Sequence, residues 1–379
     1  MRGKKTVKIL KKINFSLLIF LCFIMLAAGK SDVQVIESPK PTHIEKNFTE
    51  LVLVKKIESD FDEKHFFGRP KYIAADLDGS FFVFDDLQNK VFKFNKDFRF
   101  EKWFGVTGTG KGEISSRSGR GTKKDIYLSN DGHLYVMDYT SQKLIVFTKD
   151  GVFVREITLP GKFYRLLPVK EQKDNYFAFY LEPGKEKVVV FNEKLEEKLT
   201  LFTTEDYKKF IVYKPELDEE DRKYIKSNPY EAPDFSNTKI DYLSNNEVVL
   251  YKSNMSEIYH FDSDYKLKKS FPVWPKIALT YYKKRVERLR KKLKSNNFEV
   301  QMFTSFCADK DNGKHVYLGG IRDEKKRKIF YKFDLAGNLV NTYRIKETVK
   351  TIKTFVKAND LFYTISSDNI LIFKEENKK

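Results

Sequence analysis

Apolar and polar residues alternate along most of this chain in short runs, and two groups of runs carry the same pattern. Residues 73–94 read IAADLDGSFFVFDDLQNKVFKF, and residues 126–147 read IYLSNDGHLYVMDYTSQKLIVF. They align without a gap, matching Ile73 with Ile126, Asp78-Gly79 with Asp131-Gly132, Asp85 with Asp138, Lys90 with Lys143 and Phe94 with Phe147. A period of two is that of a half-buried strand. Phe82 and Phe84, and likewise Phe92 and Phe94, are two apart within their runs and are expected to share a sheet face. Asp-Gly between the first and second runs suits a tight hairpin, because glycine tolerates positive φ. Residues 85–89 supply a second reversal and residues 95–97 a third. A fourth run follows at 99–104, matched by 152–157 after Asp150-Gly151. Four short strands with a turn after each make an antiparallel meander, the blade of a β-propeller.

Weaker copies continue the pattern. Phe191 ends a strand in KVVVF, Phe261 in EIYHF, Phe333 in KIFYKF and Phe373 in NILIF. All but the last lead through a turn into KLEEKLTLF, YKLKKSFPV and GNLVNTYRI. The third and fourth copies lack the Asp of the second strand. The sixth copy, TIKTFVKANDLFYTISSDNILIF, holds only three strands. The missing one is available in ELVLVKKI at residues 50–57. The expected fold is therefore all-β, a six-bladed β-propeller of four-stranded antiparallel blades. An N-terminal strand closes its last blade, which limits exposed edges, and short helical insertions decorate it.

The pattern of first strand, D-G, a V-x-D second strand and a K-[VIL]-x-x-F third strand resembles the NHL repeat. The glycine-rich FGVTGTGKGE at 104–113 is similar to the linkers between NHL blades. The match is good over 69–157 and moderate over 303–345. An export segment, a spacer and then NHL-like blades resemble exported bacterial six-bladed propellers, which implies a periplasmic or cell-surface protein.

Arg2, Lys4, Lys5, Lys8, Lys11 and Lys12 precede an apolar run from Leu17 to Ala28. A basic head, a short apolar centre and a small-residue exit make residues 1–29 a signal peptide. An uncleaved anchor over 13–29 is the alternative, although spanning a bilayer takes about 20 apolar residues. Residues 30–47 read as a spacer and 48–379 as one propeller domain. Losing the six basic residues of the head lowers the net charge from +18 to +12, still basic but dispersed. Cys22 lies in the export segment and leaves Cys307 without a disulfide partner, so a buried structural role is expected for it. The 34 Phe and 21 Tyr suit the wedges between blades.

Three insertions break the repeat, and such loops carry function more often than the scaffold does. In the first, 105–121, Gly105-x4-Gly110-Lys111 resembles a phosphate loop. Gly112 replaces the hydroxyl residue that would hold magnesium, and no helix pattern follows, so nucleotide binding is set aside. Lys111, Arg117 and Arg120 of this loop are the candidate ligand-binding residues. The second insertion, 203–233, starts with a helix-cap pattern at Thr204-Glu205-Asp206. The third, 275–297, is an amphipathic helix. Leu279, Tyr282, Val286, Leu289 and Leu293 form its apolar stripe, amid nine cations and the single acid Glu287. Its stripe is expected to lie on an end face of the propeller or on the second insertion. Contact with an anionic surface is the other reading.

No catalytic constellation is evident, no metal ligand set can be assigned, and no cofactor is indicated. His133 and His315 occupy a repeat position and read as structural. His65 is expected near a channel mouth. Asp76, Asp78, Asp131, Asp309 and Asp311 fall at hairpins as turn residues. The expected function is an exported, non-catalytic propeller that binds a protein, peptide or glycan on one end face, as a monomer and without nucleic acid. The alternative is a metal-dependent hydrolase or lyase resembling the gluconolactonase family, with its site at the central channel.

Overall fold

The computed structural model describes residues 43–45, 47–115, 124–159, 163–168, 176–182, 185–192, 194, 196–203, 238–245, 247–252, 256–280, 284, 303, 305–323, 325–347, 349 and 351–376. The expected signal peptide at 1–29, nearly all of the expected spacer and all of 204–237 therefore lie outside them. So do Arg117 and Arg120, and most of the third insertion.

Strand β1 (Thr49–Ile57) precedes the first blade. Blade 1 is β2 (Pro70–Ala75), β3 (Phe81–Asp85), β4 (Lys90–Phe94) and β5 (Phe100–Phe104). Blade 2 is β6 (Lys124–Leu128), β7 (His133–Asp138), β8 (Lys143–Thr148) and β9 (Phe153–Thr158). Blade 3 is β10 (Phe163–Pro168), β11 (Tyr176–Glu182), β12 (Lys185–Phe191) and β13 (Glu197–Thr203). Blade 4 is β14 (Thr238–Tyr242), β15 (Val248–Lys252), β16 (Glu257–Phe261) and β17 (Leu267–Pro272). Blade 5 is β18 (Ser305–Ala308), β19 (His315–Arg322), β20 (Lys328–Asp334) and β21 (Leu339–Ile345). Blade 6 has β22 (Phe355–Ala358), β23 (Leu361–Ser366) and β24 (Asn369–Glu375).

Each blade is an antiparallel meander in chain order. The doubled text folds in one register, with Ile73 opposite Val83 and Asp85 opposite Lys90 in blade 1. In blade 2, Ile126 is opposite Val136 and Asp138 opposite Lys143. Gly79 and Gly132 take φ of 90° and 82° in the matching hairpins, as the Asp-Gly pairs require. β1 completes blade 6 by pairing antiparallel with β24. It also pairs parallel with β21 through Thr49–Tyr343, Glu50–Arg344 and Leu51–Ile345. Blades 5 and 6 are thereby joined in one eight-stranded sheet, a second pairing that the repeat does not foretell.

Six apolar clusters fill the spaces between neighbouring blades and close the ring. Within blade 1 the shared-face expectation for the four phenylalanines is corrected. Phe92 stands opposite Val83 and Phe94 opposite Phe81, so Phe92 and Phe94 pack toward blade 6. Phe82 and Phe84 point the other way, toward blade 2. Register between runs decides the face, and spacing within a run does not. All four rings are at most 1% exposed, each contributing about 2–3 kcal/mol of transfer free energy.

The third insertion begins as a helix at 276–280, where Leu279 N donates to Pro275 O at 2.8 Å. Ala278 and Leu279 are buried in the cluster between blades 4 and 5, and Tyr282, Val286, Leu289 and Leu293 of the expected stripe lie outside the described residues.

Candidate binding face

Strands alternate in direction within each blade. Connections from strand one to two and from three to four therefore emerge at one end of the ring, the hairpin face. Connections from two to three, and from the fourth strand to the next blade, emerge at the other, the linker face. The insertions join β5 to β6, β13 to β14 and β17 to β18. All three leave and return on the linker face.

The first of them is described as far as Ser115. Gly105 turns the chain with φ of 94°. Ile114 N donates to Val106 O at 2.7 Å and Gly108 N to Ile114 O at 2.9 Å. Ile114, fully buried between blades 1 and 2, anchors the loop. Gly110 N donates to the Glu113 carboxylate at 2.7 Å, and Gly112 N to that of Glu156 at 2.8 Å. A phosphate loop needs such amides free to face its ligand, and here carboxylates occupy them. Lys143, paired with Glu156 at 3.1 Å, donates to the carbonyls of Thr109 and Gly110. Lys111 is exposed at the tip of this well-tied loop. Because Arg117 and Arg120 fall outside the described residues, their convergence with Lys111 remains an expectation from sequence.

Three segments of the linker face in blade 1 also carry exposed apolar side chains that the repeat pattern missed. Phe66 precedes β2, Leu87 sits in the β3–β4 turn and Val106 begins the insertion, at 58%, 56% and 58% exposure. Gln88 holds the segments side by side. Its side chain donates to Phe66 O at 2.6 Å, and its own carbonyl accepts from Thr107 Oγ1 at 3.4 Å. Nearby, Lys90 Nζ lies 3.8 Å over the ring of half-exposed Trp103. The Phe66-Phe67 doublet was the available signal, since outside the strands, in a segment laid over the rim, one of two successive rings is left facing outward. Phe67 is the one inside, at 4% exposure.

The axial channel looks different. Lys310, 9% exposed, extends from the β18–β19 hairpin of blade 5 and donates to Leu128 O of blade 2 at 3.1 Å. Its ammonium also lies 4.9 Å over the Tyr127 ring. Blades 2 and 5 are diametrically opposed in a ring of six, so one side chain spans the channel near the hairpin face. Tyr127 of blade 2 meets Tyr242 of blade 4 edge-on at 5.7 Å beside it. Burial holds both phenols well above their ordinary range. Lys310→Met should remove about 1–3 kcal/mol, the value of a hydrogen bond from a charged donor. Hydrogen exchange should show faster opening in β6 and β18 than in the outer strands.

Carboxylates near the axis are committed to the chain itself. Asp241 accepts from Tyr242 N and from Ala308 N of the next blade, both at 2.9 Å. Asp309 is fully buried and accepts from Asp311 N at 3.2 Å, from His315 Nδ1 at 3.1 Å and from Lys357 at 3.5 Å. The hairpin aspartates behave as turn residues, as in Asp78, whose carboxylate takes Ser80 N at 2.7 Å. His133 and His315 each pair with a hairpin aspartate, and burial lowers the pKa of His315. His65 is not at the channel. It bonds Asp62 at 2.8 Å and packs on Phe100 of the outer strand β5, because residues 58–69 fold over the rim of blade 1. Cys307 is buried, and burial pushes its thiol well up, as befits an inert core residue. Among the described residues, no three His, Cys, Asp or Glu side chains come together as a metal site would require.

Comparison with known proteins bears on the fold. A family model for a 6-bladed beta-propeller matches residues 30–273, more than half of the chain. A Bacteroides fragilis protein provisionally designated as exported is 14% identical, with TM-score 0.53, over 89% of this chain and 99% of that one. Virginiamycin B lyase from Staphylococcus aureus is 10% identical, with TM-score 0.43, over 84% of this chain and 98% of that one. A luciferin-regenerating enzyme is 10% identical at TM-score 0.43, over 82% and 92%. Identities this low speak to fold alone. No curated protein sequence matches.

Proposed function

From its place in the DUF5128 family of six-bladed β-propellers, to which this chain belongs, we propose that it is an exported binding module. Its partner, a protein, peptide or glycan, docks on the linker face, and the propeller is a rigid non-catalytic scaffold for that contact. One observation carries the reading: the face from which all three insertions depart is also the face where Phe66, Leu87 and Val106 stand exposed. Apolar side chains grouped on a surface mark interaction sites more often than scattered ones do. Lys111 contributes charge at the same face, with Arg117 and Arg120 placed there by sequence. The NHL-like repeat and the N-terminal export pattern support a periplasmic or cell-surface setting. The channel reading loses ground, because Lys310 spans the axis and Asp241 and Asp309 are engaged by the chain's own donors.

The test uses immobilised protein against an envelope extract and a glycan panel. A Phe66→Ser, Leu87→Ser double variant and Lys111→Ala should each lower capture at least about fivefold without shifting the unfolding temperature, as exposed positions allow. Leu77→Ser, at an exposed position on the hairpin face, should capture as the unchanged protein does. Loss of capture in Leu77→Ser alone would move the site to the opposite face and end this reading.

A further inference from the structure

The exposed apolar side chains of blade 1 are held in place before any partner arrives, and cations border them on two sides. Leu87 lies over Gly68, where a Cβ would stand 2.9 Å from its side chain. Val106 follows Gly105, which packs so closely that an added Cβ would be 3.1 Å from Asn89 O and 3.7 Å from Lys90 Cα. The polar side chains between these segments face the chain. Gln88 donates to Phe66 O at 2.6 Å, and Asn89 Nδ2 donates to Thr107 Oγ1 at 3.3 Å. Next to Leu87, Arg69 and Lys71 share the carboxylate of Asp86, at 3.0 and 3.5 Å, and that side chain is only 6% exposed. Next to Val106, the Lys90 ammonium rests over the Trp103 ring, and among the described residues no carboxylate pairs with it. Ahead of Phe66, the exposed Glu63 and Lys64 offset one another. The patch is therefore apolar at its centre and positive at its edge.

We propose that the partner on this face is a protein whose docking segment carries an apolar side chain flanked by carboxylates, an identification that rests on the binding reading above. The apolar side chain seats among Phe66, Leu87 and Val106, and its burial there removes apolar surface of all four from water. The flanking carboxylates meet Lys90 and Arg69, where the chain's own acids leave positive charge in excess. Because the three segments are tied together beforehand, docking orders little of the chain. A glycan fits this surface poorly. Sugars stack on open aromatic faces and are read by polar side chains with hydrogen bonds to spare. Here Lys90 covers the face of Trp103, and Gln88, Asn89 and Thr107 are turned to the chain. A basic segment is repelled by the same positive edge.

The experiment screens the full chain against a random-sequence peptide array and, in parallel, a glycan panel, then titrates the best peptide. Trp103 is one of two tryptophans and the other, Trp274, is buried, so a change in Trp103 emission follows occupancy. Selected peptides should combine leucine or phenylalanine with aspartate or glutamate and be poor in lysine and arginine. The best of them should bind Leu87→Ser about tenfold more weakly than the unchanged protein. It should bind Lys90→Gln about threefold to fivefold more weakly, a difference that fades in about 0.5 M salt. Lys96→Gln, at an exposed position of the same blade on the hairpin face, should bind as the unchanged protein does. Selection of basic or uncharged peptides, selection of none, or equal affinities of Lys90→Gln and the unchanged protein would overturn the proposal. Capture of a glycan that is lost in the Phe66→Ser, Leu87→Ser double variant would also overturn it, yet leave the binding face standing. Peptide binding indifferent to Leu87→Ser would overturn both.

Discussion

Deleting residues 43–57 is expected to leave no folded monomer. β1 is the fourth strand of blade 6 and at the same time the neighbour of β21. Its loss would expose two unpaired strand edges, which invite association between chains. It also supplies Leu51 and Ile57, at 0% and 5% exposure, to the clusters on the two sides of blade 6. Polar ties go too: Glu50 with Arg344, Lys346 N to Leu51 O at 3.1 Å, Glu376 N to Glu50 O at 2.8 Å and Tyr331 to Glu45 at 3.0 Å. Two buried aliphatic side chains alone are worth roughly 4–10 kcal/mol, against a total domain stability of about 5–15 kcal/mol. Size-exclusion chromatography with light scattering should show aggregates, and circular dichroism should show no cooperative transition. A monomer with a sharp transition would mean that blade 6 closes without β1. Leu51→Asp is the gentler version, buried without a partner, and should cost about 4 kcal/mol or more.

Asp85→Ala and Asp138→Ala should be the most damaging single substitutions outside the apolar clusters, and Asp138→Ala the worse of the two. Both carboxylates are fully buried. Asp85 accepts from Leu87 N and Gln88 N at 2.9 Å, capping the β3–β4 turn, and from Arg69 N at 2.7 Å, fixing the approach to β2. Asp138 repeats this with Thr140 N at 3.0 Å, Ser141 N at 3.3 Å and the buried Ser115 N at 2.8 Å. Removing either leaves three backbone donors without their acceptor, at about 1–3 kcal/mol for each one that water cannot reach. Asp138 has a further duty. Lys124 is fully buried, bonded to Asn89 at 2.5 Å and to Ser115 O at 2.8 Å, and Asp138 is the first of the negative charges that offset its burial. About 3 kcal/mol is expected for Asp85→Ala and about 4–5 kcal/mol for Asp138→Ala, measured by urea denaturation. Equal losses would show that Lys124 does not depend on Asp138.

The same two aspartates show what the sequence made legible. Their equivalence across the doubled text marked the repeat. The meander, its Asp-Gly hairpins and the closing strand all followed from period and turn chemistry, which are local. What stayed hidden depends on register between distant segments. The facing of Phe92 and Phe94 turns on pairing with β3. The parallel contact of β1 with β21 has no signature in either strand. Of the candidate site, the loop with Lys111 was located from its break in the repeat. The exposed Phe66 and Leu87 lay in turns where composition says little about which side faces water.

In most rings a push on one blade can travel only through its two neighbours, around the circumference. Here the Lys310 contact with blade 2 adds a chord. A disturbance at the β18–β19 hairpin of blade 5 meets the opposite side of the molecule directly, without passing through blades 3, 4, 6 or 1. The two halves of this propeller are thus tied across the axis like a wheel with a spoke at its hairpin end.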